Sequence, residues 1–109
     1  MTKTLQVSCV QMHWAKSIEF NCQRTLEYIG RAAAAGSDVV LFPEANLTSY
    51  YFPYVIELDQ KIVLEALRET CAAARKRNIW VIAGTIQKTA DRFLNLAHVI
   101  NRKIGRAHV

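Results

Sequence analysis

The sequence predicts an α/β fold with the element order β-α-β-α-β-β. Short apolar runs alternate with stripes of apolar residues at helical spacing, each run ends at turn residues, and the last two runs lie too close for a crossover helix between them. The chain has 109 residues, 51% of them hydrophobic and 21% charged, as in an ordinary globular domain. One compact unit, or part of one, is expected.

The first strand is predicted from Leu5 to Met12, where alternating valine, leucine and cysteine indicate a strand largely buried on both faces. Ser17 can cap the helix that follows, because its hydroxyl can accept a hydrogen bond from an amide of the first turn. Apolar residues recur on one stripe from Ile18 to Ala33, and Gly36 lies where a left-handed helix end is expected.

The second strand is the continuous apolar run 38–42, which is typical of a central parallel strand. Pro43 ends it, because proline has no amide proton to donate to the sheet. After a loop, a second helix is predicted from about Ile62 to Arg77 and a third strand from Ile79 to Ile86. The fourth strand, Phe93 to Ile100, should be antiparallel to the third because the connection is short.

This order of elements predicts a sheet with one covered face. Two right-handed β-α-β crossovers place both helices mainly on one side of the sheet. The opposite face would be apolar and uncovered, which is unusual for an isolated soluble domain. We therefore expect a second half, or a second sheet, to pack against it.

The net charge of +5 does not indicate a nucleic-acid-binding surface. The basic residues are scattered, and the one cluster, Arg75-Lys76-Arg77, ends an amphipathic helix, where cations complement the exposed carbonyl groups. No segment approaches the roughly twenty apolar residues of a membrane span, and the N-terminal residues lack the pattern of a secretory signal. We expect a cytoplasmic protein without nucleic-acid or membrane partners.

The three cysteines, Cys9, Cys22 and Cys71, are odd in number and lack CxxC spacing, so neither a disulfide framework nor a metal site is predicted. Each is interpreted as a small hydrophobic residue of the core, in a buried strand or on an inward helix face. Asn46-Leu47-Thr48 matches a glycosylation acceptor, which we interpret as a chance match because no secretory signal precedes it.

Glu44 is the first candidate for chemistry. It follows the second strand at its carboxyl end, where open α/β sheets gather ligands and reactive groups. Position alone leaves two interpretations open, because a carboxylate here is often only a turn or capping residue.

The segment GSDVVLFPEANLTSYY resembles the part of the nitrilase or carbon-nitrogen hydrolase superfamily in which an apolar strand runs into a Phe-Pro-Glu motif. Downstream, ARKRNIWVIAGTIQ and FLNLAHVINRK resemble the helix, the strand and the Asn-containing strand that follow in that family, so that the similarity covers nearly all of residues 4–103. The resemblance implies that residues 1–103 are the N-terminal part of a single hydrolase domain, a four-layer αββα sandwich.

The resemblance also implies a reaction. Glu44 would be the general base of a Glu-Lys-Cys triad that hydrolyses nonpeptide C–N bonds in nitriles, amides or carbamoyl compounds, without a cofactor. The family's lysine and cysteine come after the Asn-containing strand, and Lys88, Lys103 and the chain's own cysteines lack that context. We expect this chain by itself to be inactive, and the full-length enzyme to form homo-oligomers as its relatives do.

The residues after Glu44 contain a candidate substrate contact. Tyr50 can line a substrate pocket or pack locally, with equal weight given to both. Ser49 replaces the glycine that usually precedes this tyrosine in the family, which puts the local turn geometry in question. His13 has no ligand partners at a suitable spacing and is interpreted as a hydrogen-bonded loop residue.

The last six residues, 104–109, depart from the family pattern, which expects glycine directly after Lys103. They read as one frame of a common sequencing-adapter DNA. We therefore predict that residues 104–109 are a non-native tail, and His108 is not taken as a ligand candidate.

Two alternatives remain open. A flavodoxin-like nucleotide-binding module needs a phosphate cradle, but neither GxGxxG nor a P-loop string occurs, and binding of a nucleotide or flavin would discriminate it. A noncatalytic interaction fragment would use the uncovered sheet face, and a monodisperse, protease-resistant monomer would argue against it.

Overall fold

A computed structural model describes residues 3–105 and 107–108. Within them, one sheet has the strand order β1-β2-β3-β4-β5 and two long helices connect its parallel strands. The strands are β1 (Val7–Cys9), β2 (Val39–Leu41), β3 (Trp80–Lys88), β4 (Phe93–Ile100) and β5 (Ala107–His108), and the helices are α1 (Ile18–Ala34), α2 (Phe52–Val55) and α3 (Gln60–Arg77). The predicted α/β class and the order of its main elements are confirmed.

Helix α1 begins and ends where the sequence predicts. The Ser17 hydroxyl accepts a hydrogen bond from the amide of Phe20 at 3.2 Å, and Gly36 has a φ of +83° just beyond the helix. Helix α3 begins two residues earlier than expected, because the Asp59 carboxylate caps it by accepting from the amide of Lys61 at 2.9 Å. It ends at Asn78 in the left-handed conformation, with the basic cluster in its last turn.

The sheet has the predicted strand directions. Strands β1, β2 and β3 are parallel, β4 is antiparallel to β3, and β5 adds a short antiparallel strand beside β4. Helix α2 was not predicted, since four residues are too few for a helical periodicity to show. The predicted tail, residues 104–109, includes positions 106 and 109, which lie outside the described residues.

The core lies between the sheet and the two long helices. Val40, Val81 and Ile100 form one row across β2, β3 and β4 and are fully buried. They pack with inward residues of α1 and α3, which are Ile18, Cys22, Ile29, Val63, Ala66 and Ala74. Both helices therefore cover the same face of the sheet, as predicted.

The other face of the sheet is apolar and open. Leu41 and Val99, in the neighbouring row, are each 39% exposed, and Val7 is 46% exposed. The expectation that the first strand is buried on both faces is therefore wrong, and so is the prediction that Cys9 is a core residue, because Cys9 is exposed on this strand. Strand β1 is the edge of the sheet, and among the described elements α2 covers only the far end of this face, where Val55 packs with Ile86 and the ring of Phe52 meets that of Phe93.

One buried polar pair lies on the covered face. His98 is 2% exposed, its Nε2 is 2.8 Å from the Thr85 hydroxyl, and its Nδ1 has no hydrogen-bond partner among the described residues. Burial lowers the pKa of His98, because the charged imidazolium would be desolvated there. None of the helices in the described part of the chain is long and apolar enough to cross a membrane.

Candidate active site

Glu44 lies at the carboxyl end of β2, where the sequence predicts it. The amide of Phe42 makes the last backbone hydrogen bond to β3, to the Ile82 carbonyl at 2.9 Å, and Pro43 then takes the chain out of the sheet. The Glu44 side chain is exposed to solvent on the open face. A carboxylate is thus presented at the strand end where reactive groups collect in α/β sheets.

A strained turn follows Glu44 and fixes its backbone. Ala45 and Ser49 both have positive φ angles, +53° and +70°, which cost a residue with a side chain about 1–2 kcal/mol each. The amide of Ser49 donates to the Ala45 carbonyl at 2.8 Å and closes the turn. Ser49 thus adopts a left-handed conformation that glycine adopts without strain, and the turn is formed here at the cost of strain.

Two buried side chains attach this turn to the rest of the fold. The Asn46 amide donates to the Thr25 hydroxyl of α1 at 2.9 Å and its oxygen accepts from the Gly84 amide of β3 at 2.8 Å. The Thr48 hydroxyl accepts from the Ile86 amide at 2.9 Å. Asn46 is 1% exposed, so it is not a surface glycosylation acceptor, and its hydrogen bonds extend the attachment of β2 to β3 past the end of the strand.

The turn also approaches β3 very closely. The amide of Leu47 donates to the Gly84 carbonyl at 3.1 Å. A Cβ atom at position 84 would lie against the backbone nitrogen of Ala45 and 3.0 Å from its Cα. Only glycine leaves room for the turn at this point.

A second polar side chain of the open face contacts Glu44. Asn95 pairs with Ile86 in the antiparallel β3–β4 register, so its side chain points to the same face as Ile82 and Val99. Its amide Nδ2 donates to Glu44 Oε1 at 3.0 Å. The pairing of β3 with β4 thus brings together two residues that lie 51 positions apart in the sequence.

Glu44 separates two open clefts. One, of about 470 Å³, has an aromatic wall in which the rings of Trp14 and Tyr50 meet edge to face with centroids 5.5 Å apart. It is lined by Met12, His13, Trp14, Pro43, Glu44 and Tyr50. The other, of about 300 Å³, lies over the open sheet face around Ile82, Gly84 and Asn95. Tyr50 therefore borders the space beside Glu44, as does His13.

The cysteines and lysines of the chain do not complete the site. Neither cleft has a cysteine or a lysine among its lining residues. Cys22 lies between α1 and α3, where burial and the nearby Glu69 raise the pKa of its thiol to about 12. A group of three or more His, Cys, Asp or Glu side chains able to hold a metal ion does not occur in the described residues.

Three residues of the site become apparent only in the three-dimensional structure. Asn46, Thr48 and Asn95 were not predicted as parts of the site. A polar residue in an otherwise apolar strand, such as Asn95 in β4, is a signal that could have been followed. Its partner depends on the register, which the sequence pattern does not give.

Comparisons with known proteins identify what this arrangement is similar to. A sequence model described as carbon-nitrogen hydrolase matches residues 6–105. An amidase from Nesterenkonia sp. is similar in structure, with a TM-score of 0.85 at 16% identity over 96% of this chain and 41% of the amidase. A double mutant of the amidase from Nesterenkonia sp. AN1, in complex with acrylamide, has a TM-score of 0.85 at 15% identity, with the same two coverages.

A glutamine-dependent NAD(+) synthetase from Cytophaga hutchinsonii is also similar, with a TM-score of 0.78 at 20% identity over 94% of this chain and 18% of the synthetase. Comparison with curated proteins gives no significant match. The chain thus spans less than half the length of the solved structures that it resembles.

Proposed function

Because the chain belongs to the carbon-nitrogen hydrolase family, we propose that it is the N-terminal part of an enzyme that hydrolyses nonpeptide C–N bonds in amides, nitriles or carbamoyl compounds. The observation that supports this most is the Glu44 carboxylate, presented at the carboxyl end of β2 on a turn that buried side chains hold in place. Family membership favours this proposal over the nucleotide-binding alternative, and the reaction needs no cofactor.

In the proposed reaction Glu44 is the proton carrier of a Glu-Lys-Cys triad. For an amide substrate it takes the thiol proton as sulfur attacks the carbonyl carbon, and passes the proton to the nitrogen as the C–N bond breaks. It then takes a proton from the water that attacks the thioester and returns that proton to the departing sulfur. The lysine ammonium stabilises the oxyanion in both steps.

The isolated chain should lack this activity. Its own cysteines and lysines do not line the clefts beside Glu44, so we propose that the lysine and the nucleophile lie in a longer polypeptide. Glu44 is solvent-exposed here, and the remaining part of the enzyme would bury it together with the open face of the sheet. Residues 1–103 would then be one part of a single domain and residues 104–109 a non-native tail.

Tyr50 is proposed as a substrate contact, because the residue is 52% exposed and its ring forms, with that of Trp14, the wall of the cleft beside Glu44. We further propose that the full-length enzyme is cytoplasmic, forms homo-oligomers, and binds neither nucleic acid nor membranes. The basic residues of α3 lie in its last turn, where they complement the helix dipole.

The experiment compares hydrolysis of small amides and nitriles by the 109-residue chain with that of the full-length protein. The proposal expects no hydrolysis above background from the chain alone, and measurable turnover from the full-length enzyme. Glu44→Gln should abolish that turnover, while Glu57→Gln, at an exposed position outside both clefts, should leave it unchanged. Full activity of the Glu44→Gln enzyme would remove Glu44 from the mechanism.

A further inference from the structure

Asn95 is an amide in a strand that is otherwise largely apolar on its open face. It shares this face with Ala97 and Val99, and the cleft beside it is lined by Leu41, Ile82 and Leu96 among others. Asn95 is exposed to solvent in the described chain, and its amide would lose water, and so need a partner, only when the rest of the proposed enzyme covers this face. Its partner here is Glu44.

The geometry of this contact distinguishes the two carboxylate oxygens. Asn95 Nδ2 donates to Oε1 of Glu44 at 3.0 Å, which is an ordinary hydrogen-bond length. Oε2 receives no side-chain hydrogen bond within the described part of the chain. An amide is neutral at every working pH and has no proton to exchange with a carboxylate, so it can orient the carboxylate without competing for the transferred proton.

We infer that Asn95 is a positioning residue for the reaction: its amide holds Oε1 of Glu44 so that Oε2 faces the reacting atoms and carries the proton. The inference rests on the proposed function of Glu44 as general base. A general base must lie within hydrogen-bond reach of the proton that it removes, and a free glutamate side chain has several rotamers that do not. The backbone of Glu44 is fixed by the turn, and Asn95 fixes the side chain.

The contact itself can be tested in the 109-residue chain, independently of activity. The side-chain amide protons of Asn95 are observed by NMR in the unchanged chain, in Glu44→Ala and in Glu57→Ala. Loss of the carboxylate acceptor should move the Asn95 resonances upfield in Glu44→Ala alone. Identical Asn95 resonances in all three proteins would overturn the contact.

The role is tested in the full-length enzyme with Asn95→Ala, Asn95→Asp and, as a matched control on the same face, Val99→Thr. Asn95→Ala should lower kcat on the order of tenfold to a hundredfold with KM changed less than about twofold, because binding is intact while the base is misplaced. Val99→Thr should keep both parameters. An unchanged kcat for Asn95→Ala would overturn the inference.

Asn95→Asp adds a readout that a merely structural role would not move, because it keeps the shape of the side chain but replaces the donor by a second carboxylate, which only accepts hydrogen bonds. The two carboxylates repel each other, so Glu44 loses its hydrogen bond and is displaced. The kcat of Asn95→Asp should therefore fall at least as far as that of Asn95→Ala, with KM again changed less than about twofold. A kcat of Asn95→Asp equal to that of the unchanged enzyme would contradict the inference, and an inactive unchanged enzyme would contradict the proposed function instead.

Discussion

Replacing Gly84 by alanine should break the attachment of the Glu44 turn to β3. The new methyl group would lie against the backbone nitrogen of Ala45 and 3.0 Å from its Cα, so the turn must move. Overpacking of this kind costs about 1–3 kcal/mol. A shift of the turn also weakens the Gly84–Asn46 and Leu47–Gly84 hydrogen bonds, each worth about 1 kcal/mol. We expect the free energy of unfolding to fall by about 2–4 kcal/mol.

The same substitution at two other glycines provides the controls. Gly36 has a φ of +83° and nothing within 4 Å of an added Cβ, so Gly36→Ala should cost only the conformational strain of about 1–2 kcal/mol. At Gly30, inside α1, the atom nearest to an added Cβ would be a guanidinium nitrogen of Arg77 at 3.5 Å. Gly30→Ala should therefore raise the free energy of unfolding by up to about 1 kcal/mol. Urea unfolding followed by circular dichroism measures all three. A Gly84→Ala protein as stable as Gly36→Ala would refute the close approach of turn and strand.

Three further predictions concern buried groups. Asn46→Ala should lower the free energy of unfolding by about 2–4 kcal/mol, since it leaves the buried Gly84 amide without its acceptor and removes the hydrogen bond to Thr25, whose hydroxyl still donates to the Asn21 carbonyl. A urea midpoint within error of the unchanged chain would contradict this. A chromogenic disulfide reagent at pH 8 should react rapidly with the exposed Cys9 and slowly with Cys22, because burial raises the pKa of the Cys22 thiol to about 12. Cys9→Ser should remove the fast phase of this reaction, whereas Cys22→Ser should leave it unchanged. Burial lowers the pKa of His98 in the native chain, whereas in the unfolded chain the imidazole has its ordinary pKa of about 6.5. As the pH falls below about 6.5, the unfolded chain therefore binds a proton that the native chain does not bind. The free energy of unfolding is highest above that pH and decreases as the pH falls. The urea midpoint should decrease from pH 7.5 to pH 5.5 by less in His98→Leu than in the unchanged chain. Equal decreases in the two proteins would show that His98 does not contribute to the pH dependence of stability.

The helices and strands were largely predictable because their signals are local. The stripe of α1, the capping residues Ser17 and Gly36, and the apolar run of β2 each specify an element without reference to the rest of the chain. The four-residue helix α2 was missed because it is shorter than the period that reveals a helix.

The site was predictable only in part. Glu44 could be predicted as a candidate because it directly follows β2 in the sequence. The residues that contact it could not be predicted, because those contacts depend on the tertiary structure. Asn46 lies in a motif that resembles a glycosylation acceptor, yet its amide is buried between α1 and β3. Cys9 was predicted to be buried because its strand is apolar, whereas exposure depends on what covers the second face of the sheet. The apolar pattern of a strand does not show whether another element packs on the second face of its sheet.

We propose above all that Glu44 serves a cysteine and a lysine of a longer polypeptide, encoded beyond residue 103. Determining the source DNA sequence across and beyond codon 104 tests it most directly. We expect an open reading frame that continues in place of residues 104–109, with a lysine after the Asn-containing strand and a cysteine further on at a strand-to-helix turn. A genomic stop at this point, or a continuation without such a cysteine, would contradict the assignment as a hydrolase.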